Sequence, residues 1–119
     1  MYIGKLAKLT GTTPKAIRHY EALGLLPEPQ RREKYRVYSD DDVEAVTLIK
    51  QAQSLGFKLS ELRKLVEGVN VSEGFPFDAA IAMVKLKRET LHEEMQAIQS
   101  LDKRLKQLQE DLQNSSCRC

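Results

Sequence analysis

Lys15, Arg18, His19 and Tyr20 lie within six residues of one another and bring together the side chains that read and grip a polyanion. An arginine guanidinium makes paired hydrogen bonds to a guanine edge, while lysine and tyrosine reach phosphate oxygens. A second basic cluster follows in Arg31, Arg32, Lys34 and Arg36. Through Tyr38, eight basic residues stand against three acidic ones, and the rest of the chain carries eleven against fourteen. That asymmetry suits a polyanion-binding head on a neutral or acidic body. At the far end Cys117 and Cys119 flank a single arginine, a thiol pair with the chemistry to meet a soft metal or an oxidant. Two thiols so close together do not build a disulfide framework.

Other chemistries lack their parts. His19 and His92 are isolated, and there is no phosphate loop, no paired Cys/His metal spacing and no nucleophile with a base beside it. The chain reads as a binding protein, not an enzyme. Its 119 residues leave room for one compact domain, and 41% hydrophobic with 30% charged residues suits a folded, helix-rich protein. No apolar run approaches the ~18 residues of a membrane span and no signal-peptide pattern opens the chain, so a cytoplasmic protein without membrane contact is expected.

Helices must position the basic residues. Ile3, Leu6, Ala7 and Leu9 fall at helical spacing and stop at Gly11, which marks a short helix and a tight turn. Thr13 stands as N-cap with Pro14 at the first helical position, and Ala16, Ile17, Tyr20 and Leu23 share a face up to Gly24. Pro27 and Pro29 break continuation, and Tyr35-Arg36-Val37-Tyr38 alternates behind the charged stretch, which predicts a small hairpin or wing. Ser39 then caps a helix with Asp40, Asp41 and Asp42 in its first turn, ended by Gly56. Leu59, Leu62, Leu65 and Val66 outline a fourth short helix. From Asp78 to Gln113 no Gly or Pro occurs, and Val84, Leu91, Ile98, Leu105 and Leu112 repeat every seven residues. Leu101 and Leu108 complete an a/d seam, and Met95 widens it. Nothing else in so short a chain can cover that stripe, so a second copy is the simplest partner. The boundaries that follow are 1–69 for a winged helix-turn-helix head, 70–77 for a linker, 78–113 for a coiled-coil dimerisation helix and 114–119 for a flexible Cys-containing tail.

The string Ile3-Gly4-Lys5-Leu6-Ala7-Lys8-Leu9-Thr10-Gly11, then Ala16-Ile17-Arg18-His19-Tyr20-Glu21 and Leu23-Gly24-Leu25-Leu26, resembles the opening of the MerR family of bacterial transcription regulators. The likeness continues through Tyr35-Arg36-Val37-Tyr38, the stretch from Asp41 to Leu55, and Gly56-Phe57-Lys58-Leu59. It implies a mainly α protein whose long C-terminal helix forms an antiparallel coiled-coil dimer. It also implies a regulator that sets two recognition helices on a pseudo-palindromic promoter operator, distorts that DNA and so controls transcription by RNA polymerase in response to a signal. Carried over by position, Thr13, Lys15, Arg18 and Tyr20 fall on the DNA-facing recognition helix, Arg31 and Arg36 on the wing, Tyr38 just after it and Lys58 at the start of the fourth helix. For Tyr20 the alternative is packing against the first helix. The wing departs from the family's Asn-Gly-Tyr-Arg turn: Glu33-Lys34-Tyr35-Arg36 lacks the Gly that supplies positive φ.

Metal-sensing relatives carry a Cys or Ser where the long helix begins. This chain has Phe77-Asp78-Ala79-Ala80-Ile81 there, without thiol, hydroxyl or imidazole. No cofactor is therefore expected, and a soft metal or thiol oxidant at Cys117 and Cys119 is the alternative to an incidental tail. The competing class is an adaptor that uses the same fold for protein contacts. Neutral or acidic residues at positions 15, 18, 31 and 36 would favour it, but all four are basic.

Overall fold

Leu6, Ala7 and Thr10 form the buried side of the first helix, α1 (Ile3–Thr10), and Ile17 and Tyr20 that of the second, α2 (Pro14–Ala22). Between them Gly11 adopts φ 66° and its N–H returns to the Ala7 carbonyl, which closes α1 within one residue. Thr13 starts α2 as expected: its hydroxyl oxygen accepts the Ala16 N–H at 3.1 Å, with Pro14 in the first turn. Gly24, at φ 79°, lets the Leu25 N–H reach the Tyr20 carbonyl at 3.0 Å. This left-handed cap turns the chain so that Leu25 and Leu26 enter the core.

In the computed structural model, which describes residues 1–69, 71 and 74–116, the wing is an antiparallel pair of β1 (Gln30–Arg32) and β2 (Tyr35–Val37). The register sets Gln30 against Val37, Arg31 against Arg36 and Arg32 against Tyr35, leaving Glu33 and Lys34 as the turn. The first two arginines of the charged stretch are thus themselves a strand. The backbones of Met1 and Tyr38 exchange hydrogen bonds of 2.7 and 2.9 Å, which fastens the entry to α1 beside the end of the wing.

Helix α3 (Asp40–Ser54) opens with its three aspartates, and the Asp42 carboxylate accepts the Ser39 backbone N–H at 2.9 Å. Its buried residues Ala45, Val46 and Ile49 join Leu6, Ile17, Leu25 and Phe57 in the core, with α1 packed on both α2 and α3. Helix α4 (Leu59–Leu65) adds Leu62, followed by Val66. Its first turn is fixed by Glu61, whose carboxylate accepts the Lys58 N–H at 3.1 Å.

The last helix, α5 (Phe77–Ser116), is longer at both ends than the seam alone predicts. Two units divide the chain, Met1–Ala80 and Ile81–Cys119. In the second, the part of α5 from Ile81 to Ser116 extends about 54 Å at ~1.5 Å per residue. Its heptad residues Val84, Leu91, Ile98, Leu101, Leu105, Leu108 and Leu112 are all exposed in the single chain, as is Met95. Ile81 and Leu86 are exposed apolar residues that the seven-residue count passed over; Leu86 lies off the seam. Cys117 and Cys119 lie outside the described residues.

Candidate nucleic-acid interface

Three of the four residues expected on α2 and its cap are exposed: Thr13, Lys15 and Arg18. Lys15 and Arg18 are three apart, so they share a face of the helix, and that face is opposite the buried Ile17 side. Arg31 on β1 and Lys58 before α4 are also exposed. Among the described residues none of these four cations is in a salt bridge, which leaves their charge available to an external anion.

The two tyrosines are placed differently. Tyr20 is only 4% exposed and donates its hydroxyl to Gln53 Oε1 of α3 at 2.7 Å. Burial raises its pKa above the ordinary tyrosine value. Tyr38 is equally buried and donates its hydroxyl to Glu21 Oε1 of α2. Burial, then the hydrogen bond and charge of Glu21, hold its proton well above the usual tyrosine range. Both rings therefore sit in the core, with their polar ends used to join elements. Arg36 is intermediate: its side chain is 32% exposed, and Nη1 stands 3.7 Å from Glu21 Oε2.

Other residues position this face without belonging to the apolar stripes that mark the helices. Lys50 of α3 donates from Nζ to the Gly11 carbonyl at 2.6 Å, across the turn between α1 and α2. A cation at the end of α1 also complements the negative end of that helix dipole. Gly11 is called for by its positive φ; a Cβ there would lie 2.7 Å from that Nζ and push the flexible lysine end, and with it this tie, aside. Thr10 and Thr12 share a hydroxyl hydrogen bond at 2.8 Å in the same turn. Tyr2 and Tyr35 form an exposed aromatic pair beside the wing, with ring centres 5.7 Å apart. The wing tip takes the positive φ without glycine: Glu33 sits at φ 58°. At the head's end of α5, Phe75 and Phe77 meet edge to face at 5.2 Å.

Two short helices joined by a glycine turn, the second carrying unpaired cations, with a basic hairpin beside them, define a winged helix-turn-helix DNA-binding protein. The family follows from sequence comparison. A model described as MerR HTH family regulatory protein matches residues 1–69, and one described as MerR, DNA binding matches residues 43–108. The chain belongs to the MerR family and is a DNA-binding transcriptional regulator of that type. It is 38% identical over 109 residues to the mercuric resistance operon regulatory protein of Bacillus cereus, across 91% of this chain and 82% of that protein. Against the HTH-type transcriptional regulator CueR of Escherichia coli O157:H7 it is 36% identical over 110 residues, across 92% and 73%. Among solved structures it is similar to the transcription regulator PbrR691 from Ralstonia metallidurans CH34 in complex with lead(II). There the TM-score is 0.51 and the identity 28%, over 87% of this chain and 86% of that one. Among the described residues no helix is long and apolar enough to cross a membrane.

Proposed function

We propose that the protein acts in the cytoplasm as a homodimer on promoter DNA, placing one α2 in each of two major-groove half-sites and distorting the DNA between them to control RNA polymerase. The observation that carries this reading is the set of exposed, unpaired cations Lys15, Arg18, Arg31 and Lys58 on a head whose apolar residues are buried. In this scheme Arg18 reads base edges, Lys15, Arg31 and Lys58 grip phosphates, and Arg36 contacts the backbone from the wing. Thr13 uses its hydroxyl oxygen to cap α2 and keeps its O–H to donate to a phosphate. Tyr20 and Tyr38 act from inside, by holding α2 against α3 and against the wing. The exposed heptad stripe of α5 supports the dimer, since water leaves such a stripe uncovered only at considerable free-energy cost.

Relatives named for mercury resistance and solved with lead bring thiolate chemistry to mind, and here it has only Cys117 and Cys119 to work with. Operator binding is the function proposed, with the signal assigned to no residue.

The test is genomic footprinting followed by binding assays on the recovered site. Arg18→Ala lowers operator affinity by about 1–3 kcal/mol and relaxes base preference, whereas Lys58→Ala weakens operator and random DNA alike. Equal losses on both DNAs for both variants would show the roles to be wrongly assigned.

A further inference from the structure

Glu21 is an acidic side chain set into a basic face, only 10% exposed and carried by the recognition helix itself. One carboxylate oxygen accepts the Tyr38 hydroxyl and the other stands 3.7 Å from Arg36 Nη1. Both partners belong to the wing and its exit, so this carboxylate joins two elements that face DNA. At 3.7 Å the ion pair is longer than a charge-assisted hydrogen bond, about 2.7–2.9 Å, so Glu21 steers the guanidinium without saturating it. Arg36 Nε is buried and has no hydrogen-bond partner among the described residues. Arg36 also faces Arg31 directly across the hairpin, a like-charge pairing that disfavours the strand register unless something offsets it.

We propose that Glu21 is a positioning residue of the DNA interface, which holds Tyr38 and Arg36 so that the wing keeps a fixed angle to the recognition helix, and which withholds part of the Arg36 charge from phosphate. Glu21 itself touches neither base nor backbone. The inference rests on Arg36 being a DNA contact. Two effects follow from removing the carboxylate while keeping its shape. Arg36 becomes a freer cation for any duplex, and the register that phosphate contacts impose on base contacts loosens.

The experiment measures binding of the full chain to its footprinted operator and to a random duplex across a salt series, with thermal melting of each variant. Glu21→Gln keeps an amide oxygen to accept the Tyr38 hydroxyl, so its melting stays close to the parent's. Its salt slope on random DNA steepens by up to about 0.9, the value of one phosphate neutralised. Its operator-to-random ratio falls about tenfold, the scale of one mismatched base pair. Adding Arg36→Ala abolishes the gain in slope, an effect that loss of fold support does not produce. Tyr38→Phe is the second variant: it leaves the ion pair in place, so the salt slope remains the parent's while the ratio drops. Parent-like slope and ratio in Glu21→Gln, or parallel losses on both DNAs with a lowered melting temperature, overturn the proposal. If Arg36→Ala alone changes binding to neither DNA, the assignment of Arg36 is what fails, and the inference falls with it.

Discussion

Replacing Ile98 and Leu105 by Asp tests the proposed dimer through the exposed apolar stripe of α5. In the single chain these side chains are 67% and 56% exposed, so somewhat over half of each is open to the proposed partner. Full burial of a Leu or Ile side chain is worth about 1.5–3 kcal/mol, which gives roughly 1.5 kcal/mol per residue for the part still open. Two positions on each of two helices sum to about 6 kcal/mol, before any repulsion among four carboxylates in one seam. At about 1.4 kcal/mol per decade, dissociation strengthens by at least four orders of magnitude. A nanomolar dimer becomes a monomer at the micromolar concentrations of a sedimentation run. Operator affinity then drops to that of one half-site, while random-duplex binding by the head changes little. Gln99→Asp with Ser100→Asp adds the same charge to the same helix off the seam and serves as control for lost helix propensity. A doubly substituted protein that still sediments as a dimer, or a control that dissociates equally, refutes the reasoning.

Two further predictions concern the wing. Glu33 holds a left-handed φ of 58° that costs a non-glycine residue about 1–2 kcal/mol, so Glu33→Gly stabilises the protein by about 0.5–1 kcal/mol after the added freedom of the unfolded chain is deducted. Urea denaturation checks this, and an unchanged or lower midpoint contradicts it. Tyr38 holds its proton more tightly folded than unfolded, so its contribution is complete below the unfolded value of 10.0 and is lost as pH rises toward the higher folded value. Tyr38→Phe is therefore less stable than the parent at neutral pH, and the gap narrows in denaturation curves taken at about pH 11; a gap that widens there reverses the sign of the argument.

The sequence displays what repeats and conceals what pairs at a distance. Leu6, Ile17 and Val46 announce their helices because the pattern of burial and the helical period coincide. Thr13-Pro14 announces the start of α2 because a cap is local. The resemblance puts Tyr20 and Tyr38 on the DNA face, whereas the structure buries both in the core. A tyrosine has an apolar body and a polar tip, so its type alone does not say which way it lies. What decides is the bond to Gln53, 33 residues away, and the bond to Glu21, 17 residues away. The wing tip is hidden in the sequence for a similar reason. Without a glycine the turn residues do not announce a positive φ, yet the pairing of Arg32 with Tyr35 confines the turn to two residues and imposes it on Glu33.

A usable signal for the hidden residues was nevertheless present. Glu21 follows the fully buried Ile17 by four positions, Lys50 follows Val46 by four, and Gln53 follows Ile49 by four. On a helix that spacing places each polar side chain on or beside the face of a core residue, where the half-buried Glu21 and Gln53 must find a partner or remain unsatisfied, while the exposed Lys50 is within reach of one. All three do find one: Glu21 at the wing, Lys50 at the turn between α1 and α2, and Gln53 at Tyr20 of the recognition helix. Each bond therefore joins α2, the turn before it or the wing to another part of the head. The bonds of Glu21 and Gln53 are partly buried and so costly to break once formed, whereas the Lys50 tie lies at the surface; the two partly buried bonds fasten α2 to the wing and to α3. In the proposed complex, a head held in this way leaves more of the adjustment to the DNA, and duplexes that deform easily are then expected to bind better even where no side chain reaches a base.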